Sequence, residues 1–162
     1  MIKSLVPSLV ILSLCATALG EVVRPAPNFA IAGIRASSTL RSFRGQTVVL
    51  IITRSARDKY FRDELYRLKE LYGQFANEKV IFVAAIETGP ANINSDIPFV
   101  TAASPAQVAS DYGVSGRFAI AVIGTDGNLD LITVRPINAS RVKDMIFNNY
   151  DSQEAARKQP EQ

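Results

Sequence analysis

Two uninterrupted apolar runs, separated by an amphipathic stretch, constrain the fold of this chain more than any other feature. Thr47 to Thr53 and Val80 to Ile86 are rich in β-branched residues and carry no charge, as is typical of strands covered on both faces. Between them, from Asp58 to Phe75, apolar residues recur at helical spacing, and Asp58 is the candidate N-cap. A strand, a helix and a strand over about forty residues predict a crossover and a parallel strand pair.

The second half of the chain predicts a short helix and a hairpin. The segment Ser104-Pro105-Ala106-Gln107 has the pattern of a capping box with proline at the first helical position, and Gly113 would stop that helix. Two apolar runs, Phe118 to Ile123 and Leu129 to Val134, flank the turn Asp126-Gly127. An Asp-Gly pair between apolar runs indicates an antiparallel hairpin.

Three further stretches complete the predicted order of elements. Asn28 to Ile34 alternates weakly and predicts a short strand, and Thr88 to Asp96 predicts a loop. Asn138 would cap a last helix that ends near Asn148. The main elements then follow the order β-α-β-α-β-β-α, which predicts an α/β fold with a central mixed sheet and helices on both faces.

The N-terminal segment has the pattern of an export signal. Lys3 is its sole charge, an apolar stretch runs from Leu5 to Ala18, and small residues precede position 21. The apolar stretch is shorter than the roughly 20 residues of a membrane span. We predict a cleaved signal peptide over residues 1–20, one domain over residues 21–150, a disordered polar tail over residues 151–162, and a periplasmic or secreted location. A buried N-terminal helix is the alternative.

Composition excludes several chemistries from the exported domain. Cys15 is the sole cysteine, the chain contains no histidine, and cleavage after Gly20 would remove that cysteine. The mature chain would then lack a thiolate nucleophile, an imidazole base, and the thiolate and imidazole ligands of zinc-thiolate, haem and histidine–metal sites. We therefore expect no cofactor and no metal, and the composition favours a non-enzymatic function.

The charge pattern bears on the kind of partner. The full chain has a formal net charge of +3, and its charged residues are interspersed rather than arranged in a basic stripe with aromatic residues. A nucleic-acid partner is therefore not expected.

Four short motifs occur in an order that resembles a known superfamily. They are Ala26-Pro27-Asn28-Phe29, the segment Phe43 to Leu50, Tyr112-Gly113-Val114 and Asp126-Gly127. Together they resemble the redoxin branch of the thioredoxin-like superfamily, which includes peroxiredoxins and related thiol oxidoreductases. The last third is also similar to a bacterial family of small exported thioredoxin-like proteins classed as a domain of unknown function. The resemblance covers about residues 26–147 and implies a thioredoxin-like fold.

The reactive positions of that superfamily are not matched here. In peroxiredoxins the first core strand leads into a P-x-x-x-T-x-x-C motif with the cysteine in the first turn of the helix. A gapless alignment places Arg54 at the proline, Asp58 at the threonine and Phe61 at the cysteine. Arg117 resembles the arginine that polarises peroxide. The resemblance therefore implies a redoxin scaffold in which Phe61 occupies the thiol position.

Positively charged residues cluster at the predicted start of the long helix. Arg54, Arg57 and Lys59 lie where free backbone N–H groups and the helix dipole favour an anion, and Arg117 would approach from the facing loop. One interpretation is a site for a small anion or an acidic peptide. The other is a solvated basic loop in which Asp58 serves as cap and counter-ion. The candidate binding residues are Arg54, Arg57, Asp58, Lys59, Tyr60 and Arg117.

Two other groups at this helix have an ordinary structural interpretation beside a functional one. Tyr60 and Phe61 would form a hydrophobic docking surface, or Phe61 would anchor the core while Tyr60 stays half exposed. The functional interpretation of the nearby carboxylates is acid–base catalysis by Asp58, Asp63 and Glu64. The structural interpretation is that Asp63 and Glu64 are ordinary first-turn acids, since successive helical positions point in different directions.

The leading functional hypothesis is an exported, redox-inactive thioredoxin-like module that binds a periplasmic protein or an acidic small molecule. After signal cleavage it would keep no stable membrane anchor. The alternative is an accessory of an oxidoreductase or peroxidase whose partner supplies the thiol. A structural protein of the cell envelope is a third possibility.

Overall fold

The computed structural model describes residues 24–33, 38–75, 80–89 and 93–158. The predicted signal peptide, residues 1–20, lies outside the described residues. In chain order the elements are a 3-10 helix (Leu40–Phe43), β1 (Thr47–Ser55), α1 (Lys59–Phe75), β2 (Val80–Thr88), β3 (Phe99–Thr101), α2 (Pro105–Asp111), β4 (Phe118–Ile123), β5 (Leu129–Thr133) and α3 (Ala139–Lys158).

The described strands form one mixed sheet in the order β3-β2-β1-β4-β5. Strand β1 lies parallel to β2 and antiparallel to β4, so that Ile51 pairs with Ala84 on one side and with Ile120 on the other. Strand β3 is parallel to β2, and β5 is antiparallel to β4. The predicted parallel pair and the predicted hairpin are both confirmed.

Alternate residues of the central strand face two separate cores. Val48, Leu50 and Ile52 pack toward α2 and the segment before β1, whereas Val49 and Ile51 pack toward α1 and α3. This alternation is the period of two that a strand imposes on its side chains. The predicted α/β architecture, with a central mixed sheet and helices on both faces, is confirmed.

Strand β3 was not predicted from the sequence, because three residues are too few to display a period. Conversely, the predicted strand from Asn28 to Ile34 is wrong over the residues described. That segment forms isolated bridges, from Ala30 to Thr39 and from Ile31 to Ala102, and residue 34 lies outside the described residues.

Helix α2 begins and ends where the sequence predicts, but its capping box is absent. The Ser104 side chain forms no cap hydrogen bond. The Gln107 amide instead donates from Nε2 to Asp111 Oδ1, 2.7 Å away and one helical turn onward. Gly113 has a φ of +68°, the left-handed conformation that a helix stop requires.

Helix α3 is longer than predicted. Asn138 caps it as expected, since its Oδ1 accepts a hydrogen bond from the Ser140 N–H at 3.2 Å. The helix then continues to Lys158, so residues 151–158 are helical where a disordered tail was expected, and residues 159–162 lie outside the described part. Over the described ranges, no helix combines the length and the apolar character needed to cross a membrane.

Candidate functional site

The candidate site lies where β1 gives way to α1. Asp58 occupies the position before the helix, and its Oδ1 accepts a hydrogen bond from the Tyr60 N–H at 2.8 Å. This is the geometry of an N-cap, which satisfies one of the free donors of the first turn. The predicted cap is confirmed.

Arg117 approaches this cap from the loop before β4. The Arg54 N–H donates to the Arg117 carbonyl at 3.1 Å, which joins that loop to the end of β1. The Arg117 Nε donates to Asp58 Oδ2 at 2.7 Å. The guanidinium carbon of Arg117 lies 5.4 Å from the centroid of the Tyr60 ring. Arg117 is therefore close to the helix start, as predicted.

These contacts engage both the charge and one face of the Arg117 guanidinium. Its charge is balanced by Asp58, whose side chain is only 9% exposed. One face of its guanidinium lies over the Tyr60 ring, a geometry in which a guanidinium is attracted to an aromatic ring, while the Arg117 side chain stays 59% exposed. The Tyr60 ring in turn packs edge-on against Phe118, with 6.0 Å between centroids. Asp58, Tyr60 and Arg117 thus form an internally satisfied cluster.

The other predicted cations lie apart from that cluster. Arg54, Arg57 and Lys59 are exposed, and within the described part of the chain none of them forms an ion pair. The Arg54 carbonyl accepts a hydrogen bond from Thr88 Oγ1 at 2.5 Å, so the backbone here is fixed to the end of β2. The structure therefore separates the predicted cation cluster into a neutralised Arg117 and three uncompensated side chains.

A cavity of about 590 Å³ opens on the side of Arg57. It lies between the first two turns of α1 on one side and the end of β2 with residues 93 and 94 on the other. Residues that line it include Arg57, Phe61, Arg62, Leu65, Ile93 and Asn94, and we call this cavity the entrance groove. Arg62, Leu65, Ile93 and Asn94 were not predicted as site residues, because no local pattern indicates that residues 93 and 94 come to face α1.

Phe61 fills the position that the resemblance assigns to the reactive cysteine. Its side chain is 1% exposed, and it packs in the core shared by β1, β4, α1 and α3. The interpretation of Phe61 as a core anchor is therefore confirmed, and so is the half exposure of Tyr60, which is 36%.

Glu64 is the titratable residue that the sequence interpretation assigned wrongly. Its side chain is fully buried, and its Oε2 accepts a hydrogen bond from the Ile137 N–H at 2.9 Å. Its Oε1 has no hydrogen-bond partner in the described structure. The prediction that Glu64 is an ordinary first-turn acid is wrong. Spacing could have indicated this, because Glu64 lies three residues after Phe61 and four before Leu68, on the buried face of α1.

Burial also changes the acidity of this group. Removal from water disfavours the carboxylate and raises the pKa of Glu64 to about 7. The Ile137 N–H and the charge of Arg67 act in the opposite direction and only partly offset the effect of burial. Glu64 is thus held inside the protein at the point where the chain enters α3.

Comparisons with known proteins place the fold. No protein-family model matches the sequence, and no curated protein matches it significantly. The structure, however, is similar to many solved ones. A protein assigned as the thiol:disulfide interchange protein DsbE of Chlorobium tepidum aligns with a TM-score of 0.64 and 20% identity, over 78% of this chain and 96% of that one.

Two further solved structures agree. A 2-Cys peroxiredoxin of Plasmodium vivax aligns with a TM-score of 0.57 and 18% identity, over 80% of this chain and 96% of its own. A secreted thiol-disulfide isomerase of Corynebacterium glutamicum aligns with a TM-score of 0.60 and 12% identity, over 79% of this chain and 85% of its own. The chain has the thioredoxin-like fold. At these identities the likeness establishes the fold and not an activity. The narrower resemblance to the exported family of unknown function stays a prediction.

Proposed function

We propose that this chain is an exported, redox-inactive thioredoxin-like module that binds a protein partner or a small anion at the entrance to α1. The observation that carries the proposal is the buried Phe61 ring at the position of the reactive cysteine, beside a groove that displays Arg57 and Arg62. In a fold known for thiol chemistry, this chain has a buried phenylalanine at the thiol position and a groove lined by arginines beside it.

The proposed absence of thiol chemistry rests on the sequence. The single cysteine, Cys15, belongs to the predicted signal peptide, so a cleaved chain would have no thiolate with which to attack a disulfide or a peroxide. Export rests on the pattern of residues 1–20, and the similarity to a secreted isomerase is consistent with a periplasmic or secreted location.

The binding role rests on charge that the protein does not neutralise. Asp58 is occupied by the Tyr60 N–H and by Arg117, so it is not available to balance Arg54, Arg57 and Lys59. Three exposed cations at one end of a sheet favour an anionic partner through charge complementarity.

The alternative is an accessory whose partner supplies the thiol, with Arg117 serving the partner's chemistry. That role requires an arginine whose charge is free to serve the partner, whereas the charge of Arg117 is already paired with Asp58. The engagement of Arg117 by Asp58 and Tyr60 supports the binding module over this alternative.

A titration monitored by amide NMR tests the proposed function. Sodium phosphate and sodium sulfate should shift the amide resonances of Arg54, Arg57 and Lys59, and an Arg57→Glu variant should weaken that response. Arg41→Glu is the matched control, because Arg41 is an exposed arginine in the 3-10 helix at the opposite end of β1. If neither these anions nor an acidic peptide shifts the α1 entrance, the proposed function is wrong.

A further inference from the structure

We infer that the entrance groove takes an extended acidic peptide segment of a protein partner, with apolar side chains between its carboxylates, rather than a lone anion. The inference rests on the proposed function and specifies the ligand of the same site. Three observations carry it: the length of the groove, the distribution of its charges and the apolar residues among them.

The groove continues along α1 beyond the helix start. A second cavity of about 320 Å³ is lined by Tyr66, Lys69, Ser95 and Asp96. It shares Arg62, Leu65 and Asn94 with the entrance groove, so the two are adjacent compartments, and residues 94–96 face α1 across the second one. From Lys59 to Lys69 the helix advances about 15 Å. An extended peptide of about five residues covers that distance, whereas a single small anion contacts only one part of it.

Charge along this double groove is predominantly positive. Arg57 and Arg62 line the first compartment, and Lys69 lines the second. The acid among the described lining residues is Asp96, and it is already paired with Lys69. The two arginines therefore lack a carboxylate partner within the described part of the groove, and guanidinium groups bind carboxylates through paired hydrogen bonds.

Apolar surface alternates with this charge. Leu65 and Ile93, both partly exposed, lie on the first compartment, and Tyr66, at 69% exposed, lies on the second. An inorganic anion gains nothing from such surface, while a leucine or phenylalanine side chain next to a carboxylate would bury its apolar area there. Asn94 borders both compartments, and its amide is able both to donate and to accept a hydrogen bond with a peptide backbone.

The test uses the chain purified after export and an eight-residue, fluorescein-labelled peptide that alternates glutamate with leucine. Binding is followed by fluorescence anisotropy and by amide NMR. We expect saturable binding that shifts resonances in both compartments, from Arg57 to Lys69. Arg57→Glu and Arg62→Glu should each weaken the affinity about tenfold, as expected for the loss of a close charge pair. Arg41→Glu should leave the affinity within about twofold.

Two further measurements distinguish binding of a peptide from binding of a lone anion. A lysine–leucine peptide of equal length should not bind. Tyr66→Ala should weaken the glutamate–leucine peptide severalfold and leave the phosphate response unchanged, and this exposed position carries little risk to folding. If phosphate shifts the α1 entrance but the peptide shifts nothing beyond it, or if the lysine peptide binds equally well, the inference is overturned while the proposed function stands. If neither ligand shifts the groove, both fail.

Discussion

Glu64 shows how a single residue couples stability to pH in this fold. Its carboxyl group is buried between α1 and the start of α3, where Oε2 accepts a hydrogen bond from the Ile137 N–H. Burial raises its pKa from the ordinary value of 4.5 to about 7. An acid whose pKa is higher in the folded state than in the unfolded one stabilises the fold when protonated, below pH 4.5. That contribution disappears as the pH rises through about 7.

The first prediction concerns this group. The free energy of unfolding should carry a Glu64 contribution that falls by about 3 kcal/mol between pH 4.5 and pH 8, as the shift in pKa requires. Urea unfolding at several pH values in that window, for the wild type and for Glu64→Gln, isolates the contribution as the difference between the two curves. Asp63→Asn, a neutralising change at the adjacent residue, is the control. A difference between wild type and Glu64→Gln that does not change with pH would contradict the assignment.

A second prediction at the residue scale compares Phe61 with its neighbour Tyr60. Phe61→Ala should lower the free energy of unfolding by about 3–5 kcal/mol, because it removes a buried ring and leaves a cavity. Tyr60→Ala should cost distinctly less, since that side chain is 36% exposed. Equal losses in chemical denaturation would mean that Phe61 does not anchor the core.

At the scale of elements, the start of α1 depends on the two roles of Asp58, as cap and as partner of Arg117. Asp58→Ala removes both and should destabilise the protein by about 1–2 kcal/mol. Asp58→Asn keeps a capping side chain, loses the charge, and should cost less. Thermal unfolding of the two variants measures this, and equal losses would show that capping contributes nothing.

Sequence patterns predicted the long elements well and the short ones poorly. Strands β1 and β2 and helix α1 each display enough residues for a period to emerge, and their predicted bounds are close to the observed ones. Strand β3 is too short to show a period and forms because β2 offers it an edge. The capping box at Ser104 failed because Gln107 bonds to Asp111 instead, a choice between local partners that residue types do not determine.

The candidate site was predictable only in part, for a similar reason. The proximity of Arg117 to Asp58 followed from the resemblance, which fixes where the two loops lie. That Asp58 pairs with Arg117 and that the Tyr60 ring lies against it depends on side-chain geometry. The groove depends on residues 93 and 94 facing α1, a long-range contact with no local signal. Because of these tertiary contacts, the candidate binding surface is the groove beside Arg57 and does not centre on Arg117.

For the whole molecule, the central claim is that a thioredoxin-like fold has a binding role without thiol chemistry. The shared fold positions the end of β1 and the start of α1, and this sequence places Phe61 there instead of a thiol. Nothing in the architecture itself requires the redox function, since function belongs to the site rather than to the fold.

The most direct test is turnover by the purified exported chain alone, measured as insulin disulfide reduction with a dithiol donor and as peroxide consumption. A Cys15→Ser chain serves as control for any uncleaved precursor. The account predicts rates equal to the reaction without protein, for both chains. Turnover above that background by the Cys15→Ser chain would contradict it.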